Sequence, residues 1–456
     1  MSEPSLKKRI WGWFFFDWAS QPYHTLIITF VFGPYFVGVA ADTYMAGGIG
    51  EEPAKAQAQS FWSLGLMISG LIIGFGGPVI GALADAAGRR MPWIAVFSVL
   101  FVLGASALWW VTPDGSNLTI GLIAFGIGFI GAEYALIFTN AQLPTLGDEK
   151  EVGKLSGTGF AFGYVGGLVS LLIMLLLFVE QANGKTLIGL APAFGLDPEL
   201  REGTRFVGPF VAIWFAIFMI PYFLWVRETH VPEARRPAKM ALAQLWGTIR
   251  ALPRRPSLLS FLGSSMLYRD GLNGLYAFGG TYAALVLDWD ITRIGIFGIV
   301  SVISAAGMTW VGGRLDARFG PRPVIFVSII ALGIVCVGLI NMSRDAIFGV
   351  TLVDGSNLPD NMFMVAGVLI GGLGGIVQAA SRSMMTRHTT PENATETFGL
   401  FGFAGRATSF LAPGLIGLVT LLTENARLGF LPVIGLFILG LILLRWTNPD
   451  GEQHAS

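Results

Sequence analysis

The sequence has one cysteine, four histidines and few charges in its 456 residues. Cys336 alone can build neither a disulfide framework nor a cysteine-cluster metal site. His24, His230, His388 and His454 are too scattered to suggest a metal motif, so no metal and no cofactor is expected. Charged residues make up 13% of the chain, against about 25% in soluble domains. Lys+Arg and Asp+Glu both number 29, so no bulk electrostatic attraction to nucleic acid is implied. A phosphate-binding Walker loop, a paired-His zinc helix and a Gly-x-Ser-x-Gly nucleophile turn are all missing. These absences argue against a nucleic-acid-binding domain, a disordered chain and an ordinary soluble enzyme.

What is present is apolar: 53% of residues are hydrophobic, with 61 Gly, 35 Phe and 13 Trp. No single soluble core could bury so much apolar surface. A helix needs about 20 apolar residues to cross a bilayer core of about 30 Å. Twelve stretches qualify, at 10–40, 60–84, 93–112, 118–142, 155–179, 205–226, 257–287, 293–313, 322–342, 361–386, 396–422 and 428–447. Lys7, Lys8 and Arg9 precede the first, but Asp17 and the length of the run argue against a cleaved signal peptide. Positive charge gathers at alternate ends: Lys7 to Arg9, Arg89, Arg90, Lys154, the central loop, Arg314, Arg318, Arg322, Arg387 and Arg445. Fewer cations, among them Lys55, Lys185, Arg201, Arg293 and Arg344, fall on the other side. That asymmetry puts both termini in the cytoplasm of a multi-pass inner (plasma) membrane protein.

The basic, proline-containing segment 227–256 separates six-helix sets at 1–226 and 257–456. Gly81-Ala-Leu-Ala-Asp85-Ala-Ala-Gly88-Arg89-Arg90 follows the second helix. Gly313-Arg314-Leu-Asp316-Ala-Arg318-Phe-Gly320-Pro-Arg322 follows the eighth, half a chain later. This is a six-plus-six duplication: an all-α membrane protein of twelve transmembrane helices in two pseudo-symmetric bundles.

The first of these motifs resembles the signature loop of the major facilitator superfamily. There the Asp can cap a helix terminus and pair with an Arg on a cytoplasmic gate. Asp316 sits four residues before its glycine, whereas Asp85 sits three before. The shift predicts that Asp316 does not repeat the role of Asp85, and that Arg318 and Arg322 carry more of that contact. Other segments resemble the vacuole-effluxer-like branch: Trp13-Phe-Phe-Phe-Asp17-Trp18-Ala-Ser20, Ser156-Gly-Thr-Gly-Phe-Ala-Phe-Gly163, Tyr268-Arg269-Asp270-Gly271, Gln378-Ala-Ala-Ser381-Arg382-Ser383 and Phe398-Gly399-Leu-Phe-Gly402. That branch includes autophagy-related vacuolar amino-acid exporters. The resemblance implies alternating-access transport of a small metabolite, with helices 1, 4, 7 and 10 lining the pathway.

Ionisable groups at membrane depth need a reason, because each costs at least about 2.5 kcal/mol on the insertion scale. Asp17, Gln21 and His24 stand at i, i+4 and i+7 and so share one face of helix 1. That polar stripe should line the cavity or face the other bundle. Glu133 and Asn140 share a face of helix 4. Helix 7 carries Arg269, Asp270, Asn273 and Tyr276, and helix 10 carries Gln378 and Arg382. Either Arg269 or Arg382 holds a substrate carboxylate while Asp17, Glu133 or Asp270 carries a proton, or the same groups are ion pairs and an inner gate. Arg406 on helix 11 reads as an ion pair behind the pathway. Trp18, Tyr134 and Tyr276 adjoin these groups and are candidates for substrate contact or for interfacial packing.

Gly126-Ile-Gly128-Phe-Ile-Gly131 matches a dinucleotide-binding spacing but lies inside an apolar span, so helix packing is the expectation. The reading that follows is secondary active, proton-coupled export of an amino acid or related zwitterion by a monomer in a bilayer. A site with both signs of charge, such as Arg382 with Asp17 or Glu133, suits a zwitterion. Sugar or drug transport by the same fold, and a membrane sensor or scaffold that transports nothing, are the alternatives.

Overall fold

In hydrocarbon every backbone N–H and C=O needs an internal partner, so apolar runs of this length fold as helices. The computed structural model describes residues 4–181, 183–227, 237–287, 289, 291–353, 355–390, 393–408, 411–423 and 427–451. His230, Arg235 and Arg236 of the central loop, His454 and the side chain of Arg406 lie outside the described residues. In chain order the helices are α1 (Leu6–Ala46), α2 (Leu64–Ala87), α3 (Met91–Trp110), α4 (Leu118–Thr145), α5 (Glu151–Leu177) and α6 (Glu202–Trp225). Then come α7 (Pro256–Leu287), α8 (Ile296–Phe319), α9 (Pro321–Ile340), α10 (Leu358–Thr386), α11 (Ala394–Ala407 and Leu411–Thr423) and α12 (Leu431–Leu444). Among the described residues, α1–α6 and α8–α10 are each long and apolar enough to span a membrane. A further helix, Ala238–Ala251, lies in the central loop. A two-stranded hairpin, Ala346–Ile347 with Val350–Thr351, joins α9 to α10.

Contacts divide the chain into two compact units. The first comprises Met1–Gly76, Ala87–Thr139 and Phe162–Glu233. The second comprises Ala234–Ser456 together with Gly77–Ala86 and Asn140–Ala161, the ends of α2, α4 and α5.

In the first unit α1 is not a regular helix. Pro22 lacks an N–H, so the carbonyl four residues earlier loses its helical donor. Trp214 of α6 replaces it, its indole N–H donating to the Trp18 carbonyl at 3.2 Å. From Tyr23 to Phe30 the helix widens into a π-helix, closed by Val31 N–H donating to Leu26 O at 2.9 Å. Trp13 Nε1 donates to Thr139 O at 2.9 Å and the Tyr23 hydroxyl to Phe125 O at 2.7 Å, tying α1 to α4. The dinucleotide-like glycines are packing residues: a Cβ on Gly131 would meet Phe101 N at 2.6 Å, and one on Gly128 the Tyr23 hydroxyl at 2.6 Å. Glu180, buried beyond the end of α5, accepts from Thr204 N–H at 3.1 Å and lies 3.1 Å from Arg201 Nε.

In the second unit the expected eleventh span, 396–422, is two helices. Pro413 cannot continue a helix from a preceding turn but fits the first turn of a new one. Buried Asp360, at the start of α10, accepts from Trp289 Nε1 at 2.6 Å and Arg344 NH1 at 2.7 Å, and lies 3.3 Å from Arg293 NH2.

Trp214→Phe keeps the ring stacking on Trp18 but leaves the Trp18 carbonyl without its indole donor. The expected cost is about 1–3 kcal/mol, read as a lower Tm of the detergent-purified protein. An unchanged Tm would show that another group meets that carbonyl.

Candidate functional site

Both copies of the repeated motif end on a glycine in the left-handed region, Gly88 at φ 66° and Gly320 at φ 83°. Other side chains are strained there. The motif helices make matched crossings within the second unit. On α2, a Cβ on Gly81 would meet Thr395 O of α11 at 2.6 Å, and one on Gly399 of α11 would meet Gly77 O of α2 at 2.6 Å. On α8, Gly313 lies against Gly157 of α5, whose added Cβ would stand 2.5 Å from Gly313 Cα. Neither crossing leaves room for a side chain, and small residues of this kind let backbones touch in lipid.

Each crossing carries the aspartate of its motif. Asp85 Oδ2 accepts from Glu396 N–H at 2.9 Å. It thereby caps the first piece of α11, where the helix leaves N–H groups without helical partners and its dipole favours an anion. Asp316, 2% exposed, lies against Gly153 in the first turn of α5; a Cβ there would meet its Cγ at 2.5 Å. Asp316 thus lies beside the start of α5 without repeating the backbone cap that Asp85 makes, as expected. The expectation that Arg318 and Arg322 carry more of that contact is corrected. Arg318 is exposed, beside the Phe319 ring at 5.2 Å. Arg322 donates to Leu444 O at 3.2 Å and Arg445 O at 2.8 Å, closing the end of α12. A one-residue slip before the glycine is absorbed because the helix face, not the count to the turn, decides where the carboxylate points. Arg89 is exposed and Arg90 half-buried.

Arg382, 1% exposed, joins α10 to the start of α5. Its Nε donates to Ser156 Oγ at 2.9 Å, NH2 to Ser156 O at 2.7 Å and NH1 to Asn140 Oδ1 at 3.2 Å. The guanidinium lies 4.0 Å from the Phe160 ring. Ser156 Oγ in turn donates to Ala379 O at 2.7 Å. The planar fork and the ring contact are arginine chemistry that lysine does not reproduce. Gln378 is half-buried one turn earlier on α10.

On α7, Arg269 and Asp270 both hold α11. Arg269 NH1 donates to Phe401 O at 3.3 Å and its guanidinium lies 4.6 Å from the Phe401 ring. Asp270 Oδ2 accepts from Ala412 N–H at 2.7 Å, capping the second piece of the broken helix. Asn273 and Tyr276 are exposed on the same helix.

In the first unit the expected stripe of Asp17, Gln21 and His24 is divided. Asp17 is buried with its backbone against Gly163 of α5, and Gln21 packs on Gly167. His24 Nε2 instead lies 3.5 Å from Glu133 Oε1 of α4. The π-helix that begins at Tyr23 breaks the 3.6-residue period on which the stripe rests. Trp18 stacks between Phe162 and Trp214, at 4.6 and 5.7 Å between centroids. The Tyr134 hydroxyl donates to Ile72 O of α2 at 2.5 Å. Both are packing contacts between neighbouring helices.

Sequence reasoning did not pick out Ser156, Phe160 or the Thr395–Glu396 start of α11. Asn393-Ala-Thr-Glu396 has the spacing of a helix-start signature, but Glu396 N–H donates to Asp85 and Asn393 Oδ1 instead accepts from Thr390 N–H at 2.8 Å.

Residues 5–454 match the family described as vacuole effluxer Atg22 like. The chain belongs to that family. It is 23% identical over 446 residues to the uncharacterized MFS-type transporter YxiO of Bacillus subtilis, covering 98% of this chain and 96% of that one. It is 24% identical over 312 residues to autophagy-related protein 22 of Cryptococcus neoformans, covering 66% of this chain. That match spans 54% of the fungal protein, so the chain aligns with about half the length of such relatives. Among solved structures, the proton:xylose symporter XylE superposes with a TM-score of 0.71 at 12% identity, over 98% of both chains. The human organic anion transporter MFSD10 superposes at 0.69 with 16% identity, over 97% of this chain and 100% of that one. At such identities the likeness is one of fold. The protein is a multi-pass membrane transporter with the twelve-helix major facilitator fold, not an enzyme. Its partners are a small-molecule substrate and the lipid bilayer.

Arg382→Leu removes donors from Ser156 and Asn140, and hydrogen bonds to a charged group are worth about 1.5–3 kcal/mol. Faster amide exchange over residues 152–160 is expected, with Arg382→Lys intermediate. Unchanged exchange in both variants would show that the Arg382 contacts do not hold the start of α5.

Proposed function

We propose that this transporter exports a small zwitterionic metabolite, an amino acid or close relative, by alternating access coupled to protons. The observation that carries the reading is the His24–Glu133 pair. The two groups lie 3.5 Å apart at membrane depth, with His24 36% and Glu133 12% exposed at the side chain. They lie on α1 and α4, whereas Arg269, Asp270 and Arg382 are engaged in holding α11 and α5. An ionisable pair placed so in a membrane helix is a functional-site candidate by default. Glu133 is the group we assign to the proton, with His24 as its neighbour of opposite charge when protonated.

The family description, vacuole effluxer, supports export. Charges of both signs within the helices favour a charged or zwitterionic cargo over a neutral one. The asymmetry of Lys and Arg between alternate helix ends supports a plasma-membrane protein with both termini in the cytoplasm. In that orientation the α2–α11 and α5–α8 crossings, with Asp85, Asp316 and Arg382, form an inner gate that opens and closes in each cycle.

Proteoliposomes test the coupling. Uptake of radiolabelled amino acids, sugars and peptides would be followed with and without a pH gradient. Gradient-driven accumulation of an amino acid is expected in the native protein. Glu133→Gln should lose accumulation at least tenfold and keep gradient-independent exchange. Full accumulation in Glu133→Gln would remove Glu133 from coupling. Accumulation of a sugar with silence for amino acids would overturn the substrate class.

A further inference from the structure

The helix Ala238–Ala251 between the two halves takes no part in the transport reading, and its surface is sorted by side. Ala241 and Leu245 are buried and Thr248 half-buried, at four- and three-residue spacing, so one stripe faces the protein. Leu242, Trp246 and Ile249 form a second stripe at the same spacing, exposed by 42%, 55% and 36%. On a helix of 3.6 residues per turn, Lys239 and Arg250 flank this second stripe on its far side, and Met240 lies opposite it. The Arg250 guanidinium sits 5.0 Å from the Trp246 ring. The turn Leu252–Arg254 leads directly into Pro256, the first residue of membrane-spanning α7. The helix is therefore held at the level of a helix end, where the bilayer surface lies.

We propose that this helix is a lipid-docking element that lies in the membrane interface on anionic headgroups. Leu242, Trp246 and Ile249 enter the boundary between headgroups and acyl chains. Lys239, Arg250 and Arg254 meet the phosphates. An apolar stripe flanked by basic residues is the pattern of an interfacial helix, and an aromatic ring beside a cation suits that depth. The choice of an anionic bilayer over a protein partner rests on this charge complementarity and on the tether to α7. The protein-facing stripe reaches the inner crossings: Thr248 lies beside the Glu396 carboxylate, on the residue whose N–H Asp85 caps. Lipid bound to one side of the helix thus bears on the start of α11 through the other.

The test uses the full chain in a Cys336→Ser background, labelled with an environment-sensitive fluorophore at Ile249→Cys or, separately, at Met240→Cys. Each is reconstituted in vesicles of phosphatidylcholine alone and of phosphatidylcholine with phosphatidylglycerol, with spin-labelled lipid as quencher. Several-fold stronger quenching at position 249 than at 240 is expected, greater in the anionic vesicles. Lys239→Glu with Arg250→Glu should abolish the difference between the two vesicle types. Equal quenching at both positions, or none at either, would overturn the interfacial placement and leave the stripe to a protein partner. Quenching at 249 that ignores both the anionic lipid and the charge reversal would overturn the headgroup assignment. Quenching reads the helix itself, so its result stands apart from whether amino acids are the cargo.

Discussion

The structure turns on one constraint: a helix interrupted inside a membrane must find partners for the backbone groups the interruption releases. α1 and α11 are both interrupted, and side chains of neighbouring helices meet the released groups. Trp214 of α6 donates to the Trp18 carbonyl that Pro22 leaves without its helical donor. Asp270 of α7 accepts from Ala412 N–H at the break in α11. Asp85 of α2 accepts from Glu396 N–H at its start. In the first two cases a polar side chain completes a hydrogen-bond ladder that another helix has broken, and in the third it caps a helix start.

This changes how the buried charges are read. A carboxylate at membrane depth can carry a proton, bind substrate or cap a helix, and composition cannot separate these roles. Geometry shows what several of them hold. Arg269 and Asp270 are adjacent in sequence and hold successive parts of one broken helix. Arg382 spends its fork on Ser156 and Asn140. His24 and Glu133 form an ionisable pair on the stretch where α1 departs from regular geometry. A π-helix strains the hydrogen-bond ladder and is frequent at functional sites, which is consistent with a segment that moves.

The twelve helices were legible in the sequence because the signal is long and redundant: some twenty apolar residues per span leave little room for error. The repeat was legible because four of its ten positions, Gly81/Gly313, Leu83/Leu315, Gly88/Gly320 and Arg90/Arg322, are identical at one fixed spacing. The side-chain partners were less so. The Asp17–Gln21–His24 stripe assumes an unbroken 3.6-residue period, whereas a π-helix begins at Tyr23, inside it. Ser156 was visible as part of a Gly-rich segment, but nothing local marks it as the partner of an arginine more than two hundred residues away. The break in α11 was signalled by Pro413, though a proline alone does not say whether a helix bends or ends.

The second copy of the motif shows why spacing misleads where shape does not. Asp316 is displaced by one residue relative to Asp85, which moves a side chain about 100° around an ideal helix. The displacement would matter if the carboxylate had to reach a single atom. It matters less here because the crossings themselves are fixed by glycines: Gly81 against Thr395, and Gly313 against Gly157. With the backbones in contact, a carboxylate one turn further along lies beside the first turn of the opposing helix from either register. Asp85 uses this proximity to accept a backbone N–H. Asp316 uses it to lie buried against Gly153, where any side chain would displace it. Duplication thus preserved the close approach and let the charge chemistry of the two copies diverge.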